Sequence, residues 1–186
     1  RIFVNDKIII IIKTPYVLYY RCVSYMEVDC LFQIGEKIVY PMHGAGFIET
    51  IEEKDILGEI RQYYVIKLSI SNLQISIPVG NEVKLGIRPV IDTLALKNVK
   101  DIFQNGETDV VLSSKERVKI NSEKIKTGKI EASAEVVRDL LRLNEEKALN
   151  SSEKNMLNKA KEILFSELEL VNGITENEIQ SFSSIG

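Results

Sequence analysis

Few residues in this chain can do acid–base, nucleophilic or metal chemistry. Of 186 residues one is His and two are Cys, too few for the four Cys/His ligands of a closed zinc site or for a disulfide framework. His43 lies in the run His43-Gly44-Ala45-Gly46, where it is expected to be a turn residue whose ring packs or hydrogen-bonds locally. The glycines there permit a tight backbone turn, and without a Lys and a following helix the run is not a phosphate loop. The carboxylate pairs Asp139 with Glu135, and Glu145 with Glu146, lie among Arg138, Arg142 and Lys147 at helical spacings. That is the pattern of surface ion pairs, not of a general acid facing a general base. The chain reads as a non-enzyme that needs no cofactor, no metal and no small-molecule ligand.

Binding chemistry is better represented. A formal charge of −3, from 24 Lys+Arg against 27 Asp+Glu, argues against coating nucleic acid by bulk electrostatics. Yet Lys115 to Lys129 holds basic residues at 115, 117, 119, 124, 126 and 129 against only Glu116 and Glu123, a local balance of +4. On a helix Lys115, Lys119 and Lys126 form one stripe, which is either a solvated face or a set of phosphate contacts whose binding falls with salt. Beyond Lys161, Glu162, Glu167, Glu169, Glu176 and Glu178 are expected to lack basic partners and to face away from nucleic acid. A second candidate surface is the segment Leu73 to Ile77, with Leu73, Ile75 and Ile77 on one face and Gln74 and Ser76 on the other. If it is an edge strand, its unpaired N–H and C=O groups invite a partner strand; the pattern leaves an internal strand equally open.

Two kinds of element must position these residues. From Phe32 to Pro78 the signals are short β segments, Lys37 to Tyr40, Phe47 to Ile51, Tyr63 to Leu68 and Leu73 to Ile77, separated by turns, which predicts a small, bent β-sheet or barrel. After Arg88-Pro89 the period becomes helical. Asp92 or Thr93 caps a helix to about Gln104, and Asn105-Gly106 stops it. Ser113 to Glu116 is a capping box opening a helix that ends near Gly128. A third helix is expected from about Ser133 to Leu149 and a fourth from Ser152 to about Val171, with Met156, Leu157, Ala160, Ile163, Leu164 and Leu168 on one apolar face. The fold class is therefore α+β, a bent β domain over residues 31–88 followed by a helical bundle over 89–171, with 172–186 as a tail.

Residues 1–30 read differently. They hold both cysteines and the run Ile8 to Ile12 between Lys7 and Lys13. That run is far shorter than the 18 to 20 or so apolar residues of a membrane span, and no small-residue cleavage site follows it. The block is either a β-rich extension or the product of translating upstream of a start at Leu31. No membrane partner is expected.

The stretch FQIGEKIVYPMHGAGFIETIEEKDILGEIRQYYVIKL, with IPVGN and GIRPVI after it, resembles the RNA-polymerase-interacting domain of the CarD family of bacterial transcription regulators. SAEVVRDLLRLNEEKALNSSEKNMLNKAKEILFSELEL resembles that family's C-terminal domain, so the likeness extends from Leu31 to about Val171. It implies a Tudor-like β domain docked on the RNA polymerase β subunit and a helical domain touching promoter DNA at the upstream edge of the melted bubble, in the cytoplasm. By motif position Lys54, Ile75, Ser76 and Ile77 would meet polymerase, Arg117 and Lys119 would contact DNA and Ser114 would stand beside it; the helical stripe adds Lys115 and Lys126 to the DNA-facing set. Better-known members place a Trp wedge where this chain has Ser114. An adaptor of polymerase without direct DNA contact is the alternative.

Overall fold

The computed structural model describes residues 31–71, 73–108 and 112–182, together with three earlier strands, β1 (Ile2–Val4), β2 (Lys7–Lys13) and β3 (Leu18–Ser24). Apart from these strands, residues 1–30 lie outside the described residues, as do 183–186 at the end of the expected tail. Residues 1–31 make one compact unit and 32–186 another. In the first, β1, β2 and β3 pair antiparallel in that order, with the isoleucine run inside β2.

The second unit opens with an antiparallel five-stranded sheet of order β7-β6-β5-β4-β8, built from β4 (Lys37–Tyr40), β5 (Gly44–Ile56), β6 (Glu59–Leu68), β7 (Gln74–Pro78) and β8 (Arg88–Pro89). Strand alternation turns Tyr64, Ile66, Leu68 and Ile77 inward to meet Phe32, Ile38, Ile48 and Ile87. Phe32 packs edge-on against Tyr64 with ring centroids 6.1 Å apart. The β5–β6 hairpin turns at Leu57 and Gly58, both at positive φ (58° and 83°), the pattern of a type I′ turn. A register shift between Ile48 and Thr50 adds the local bend of a bulge. Of the two placements open to the segment around Ile75, the molecule adopts the edge: β7 ends the sheet.

The helices are α1 (Glu82–Leu85), α2 (Thr93–Asn105), α3 (Ser114–Lys126), α4 (Ile130–Glu146), α5 (Ser151–Leu168) and α6 (Glu176–Ser181). Asp92 accepts from the Ala95 N–H at the start of α2, and Ser113 and Asn150 each form a reciprocal capping box with the Glu three residues on. Leu157, Ala160, Ile163, Leu164 and Leu168 line the buried face of α5, with Met156 packed at its margin.

Three local expectations change. His43 to Gly46 is not the turn; Pro41 to His43 turns, and Gly44 to Gly46 already belong to β5. The glycines serve close approach instead, since a Cβ on Gly46 would lie 2.2 Å from the Lys67 carbonyl oxygen. The third helix begins at Ile130 because Gly128, at φ 70°, ends the preceding turn, and it stops at Glu146 because Lys147 is extended. Within the stretch expected as a tail, α6 forms and Phe182 is buried edge-on against Phe103, at 5.0 Å between centroids.

Candidate functional site

β7 is an edge strand whose outward groups can be assigned from its ladder. The Leu68 N–H donates to Leu73 O and the Val79 N–H to Gln62 O. Antiparallel alternation between those bonds turns the N–H and C=O of Ile75 and Ile77 toward β6 and those of Gln74 and Ser76 toward the open side. Pro78, with no N–H to leave unpaired, suits an outward position on an edge. Lys54 Nζ donates to Ser76 Oγ at 2.8 Å, sits 5.7 Å from the Tyr63 ring centroid and lies 3.8 Å from Glu52. The structure therefore brings Lys54 and Ser76 together across the outer face of the sheet. Ile77 is 4% exposed and Ile75 packs against the same core, so their side chains are taken out of the proposed contact surface and only their strand contributes.

α3 presents its basic residues unequally. Lys115, Lys119 and Lys126 are exposed, but Lys126 pairs with Glu123 at 2.8 Å and Lys124 with Glu135 at 2.7 Å. Arg117 does not join the outward stripe. It donates to Glu153 at 3.0 Å and to Leu112 O at 3.1 Å, and its side chain is 15% exposed against 3% for Glu153. The spacing of four that aligns Lys115 with Lys119 also aligns Arg117 with buried Asn121 and Ile125 on the opposite face. Ser114 is half-buried and its hydroxyl accepts from the Asn150 amide. Among the described residues, Lys115, Lys119 and Lys129 make no ion pair.

The local electrostatics follow from these neighbours. The Ser113 hydroxyl and N–H hold the Glu116 carboxyl below its ordinary 4.5, and the Lys126 ammonium does the same for Glu123. Burial pushes Glu153 up, but the Asn150 N–H, Arg117 and Ser114 together outweigh it, so its pKa too is lowered from 4.5. Two of the acidic residues expected to be unpartnered are paired: Glu167 with Arg88 at 2.6 Å and Glu178 with Lys100 at 2.6 Å. His43 is exposed and stacks at 4.6 Å on Tyr40.

Other polar residues hold these surfaces in place, and local pattern does not reveal them. Arg138, 4% exposed, donates to Ile102 O and Glu107 O, and Arg142 donates to Gly106 O. Together they satisfy carbonyls at the end of α2 and just past it, at Gly106 and Glu107. A side chain at Gly106 has no room, because a Cβ would lie 2.4 Å from the Ile102 carbonyl oxygen as well as 1.8 Å from Arg138 Nη1. The only sequence signal is the pair of arginines four apart, which by itself spells half of a surface charge pattern.

Both halves match known family models: the CarD-like/TRCF RID domain over residues 32–91 and the CarD C-terminal domain over residues 98–183. The protein named "Putative transcription factor YdeB" of Bacillus subtilis (strain 168) is 60% identical over 152 residues, which is 82% of this chain and 99% of that protein. The chain belongs to the CarD family. Protein OPG050 of Variola virus shares 38% identity over 61 residues, 33% of this chain and 82% of that protein. The open edge of β7 thus lies inside the part matched to the RID domain and α3 inside the part matched to the CarD C-terminal domain. CarD-family membership makes the chain a CarD-like transcription factor. No helix among its described residues is long and apolar enough to cross a membrane.

Proposed function

We propose that this CarD-family chain regulates transcription by binding the RNA polymerase β subunit through residues 31–88 and promoter DNA, at the upstream edge of the melted bubble, through residues 89–171. The observation that carries the reading is the open edge of β7, with the Gln74 and Ser76 backbone groups facing outward beside the Lys54–Ser76 hydrogen bond, inside the stretch that matches the RID domain. A strand of polymerase adding to that edge gains main-chain hydrogen bonds for affinity and the Lys54 and Ser76 side chains for specificity. On the DNA side the exposed Lys115 and Lys119, with Lys126 once it leaves Glu123, are the phosphate contacts. Arg117 supports α3 from behind. The site acts in the cytoplasm, where polymerase works, and binds without a cofactor.

The mechanism is a shift of population. A protein that binds the open promoter complex better than the closed one stabilises it by the difference in binding free energy, about 1.4 kcal/mol for each tenfold in affinity. Titration of full-length protein into RNA polymerase, followed by open-complex lifetimes over a salt series, tests both halves. Ser76→Pro should weaken polymerase binding by removing an outward N–H, and Lys115→Gln/Lys119→Gln should shorten the lifetime and flatten its salt dependence. The pairing of Arg117, Lys124 and Lys126 favours the adaptor as second reading; an unchanged lifetime and slope in the lysine variant would establish it.

A further inference from the structure

The helix α5 is bonded to the start of α3 at one end and, at the other, to β5, to β8 and through Arg88 to the residue just past α3. At the start of α5, Asn150 donates to Ser114 and Glu153 accepts from Arg117 at 3.0 Å, which ties it to the start of α3. Eighteen residues of α5 reach about 27 Å at 1.5 Å per residue. At the far end Ser166 Oγ accepts from the Ala45 N–H at 2.9 Å and donates to Ile163 O at 2.7 Å. Glu167, 2% exposed, accepts from both terminal nitrogens of Arg88 at 2.6 and 2.8 Å and from the Ile91 N–H at 3.2 Å. Arg88 in turn donates to Gly128 O, just past the end of α3, at 2.9 and 2.7 Å. The fit is close: a Cβ on Gly44 would lie 2.7 Å from Ser166 Oγ and 2.3 Å from Ile70 Cδ1.

We propose that α5 is a strut and that Ser166 and Glu167 are positioning residues, which fix the distance and orientation of the DNA-facing lysines of α3 relative to the open edge of β7. The proposal rests on the function given above and adds how its two halves are coupled. A chain with a free linker between its halves would raise the local concentration of α3 near DNA without setting its register. Here any arrangement that separates Arg88 from Glu167 strands a buried carboxylate, and any that separates Ala45 from Ser166 strands a buried N–H. Polymerase binding at β7 therefore delivers α3 to one place on the duplex.

The test uses the full chain with Cys22 and Cys30 replaced by Ser and spin labels at the exposed positions Glu53 and Asn158. The variants are Ser166→Ala/Glu167→Gln and, from the opposite side of the same interface, Gly44→Ala. Polymerase affinity, label-to-label distance distribution and open-complex lifetime are measured for each. The expected result is unchanged polymerase affinity, a broadened distance distribution and an effect on lifetime reduced about fivefold or more. A broadened distribution with full effect on lifetime overturns the proposal, as does a narrow distribution in both variants. If the double variant does not fold, Ser166→Ala alone, which leaves the Arg88–Glu167 pair intact, is judged by the same outcomes. Failure of the unsubstituted chain to bind polymerase would overturn the function instead, and the distances would still decide whether Ser166 and Glu167 hold the halves together.

Discussion

Replacing Arg117 by Met should unfold this protein more readily than replacing any of the exposed lysines of α3. The Arg117 side chain is 15% exposed and faces a Glu153 side chain that is 3% exposed, at 3.0 Å. Removing one partner of a buried pair costs about 3 to 5 kcal/mol, and the partial exposure of Arg117, with the Asn150 N–H still bonded to Glu153, sets the expectation near 3. A domain of this size loses about 2 to 4 °C in Tm per kcal/mol, so the shift should be roughly 6 to 12 °C. Arg117→Met/Glu153→Met should recover most of it, leaving about 1 kcal/mol for the missing cap of α5. Glu153 titrates below its ordinary 4.5, so its contribution is complete above that pH and drains as pH falls through the lowered value. The gap between wild type and Arg117→Met should therefore narrow on acidification. Urea unfolding followed by circular dichroism at neutral and acid pH reads all of this. A single variant within about 0.5 kcal/mol of wild type, the range of ordinary surface changes, would refute the buried role and return Arg117 to the residues expected at DNA.

Other outcomes follow from the same geometry. Lys115→Gln/Lys119→Gln should leave the melting temperature unchanged and make the salt slope of polymerase-dependent DNA binding shallower by about 0.9 for each phosphate no longer neutralised. Ile75→Pro should unfold the β domain, because its N–H is bonded to β6, whereas Ser76→Pro should melt like wild type and bind polymerase more weakly; equal melts for the two would contradict the assigned ladder. Lys100 and the Thr175 cap hold the Glu178 carboxyl at about 2, so its stabilisation is present above 4.5 and disappears as pH falls toward 2, and Lys100→Ala should raise the NMR titration midpoint of Glu178 toward 4.5.

Features set by near neighbours are legible in the sequence. The capping box Ser113–Glu116 and the apolar face of α5 are written at spacings of three and four, and the chain folds them as written. Pairings between distant residues are not. Arg117 meets Glu153 from 36 residues away and Arg88 meets Glu167 from 79, and in both cases the residue types are those of an exposed charge. Helical period shows which residues share a face, but not which face of α3 is covered by α5. Gly44 and Gly46 signal a turn locally, while their cause lies in Ser166, Ile70 and Lys67. The helix α6 escapes a reading by pattern because it is short and polar, its hydrophobic anchor Phe182 lying just past its end.

A polymerase strand added to the outer edge of β7 would cover amides that report on it directly. Hydrogen exchange of the full chain, measured with and without RNA polymerase, should show the Gln74 and Ser76 N–H groups exchanging fast in the free protein and slowing on binding. The Ile75 and Ile77 N–H groups, bonded to β6 throughout, should be protected in both states. Fast exchange at Gln74 and Ser76 in a sample where polymerase binding is complete would rule out strand addition at β7 and place the interface elsewhere on the molecule.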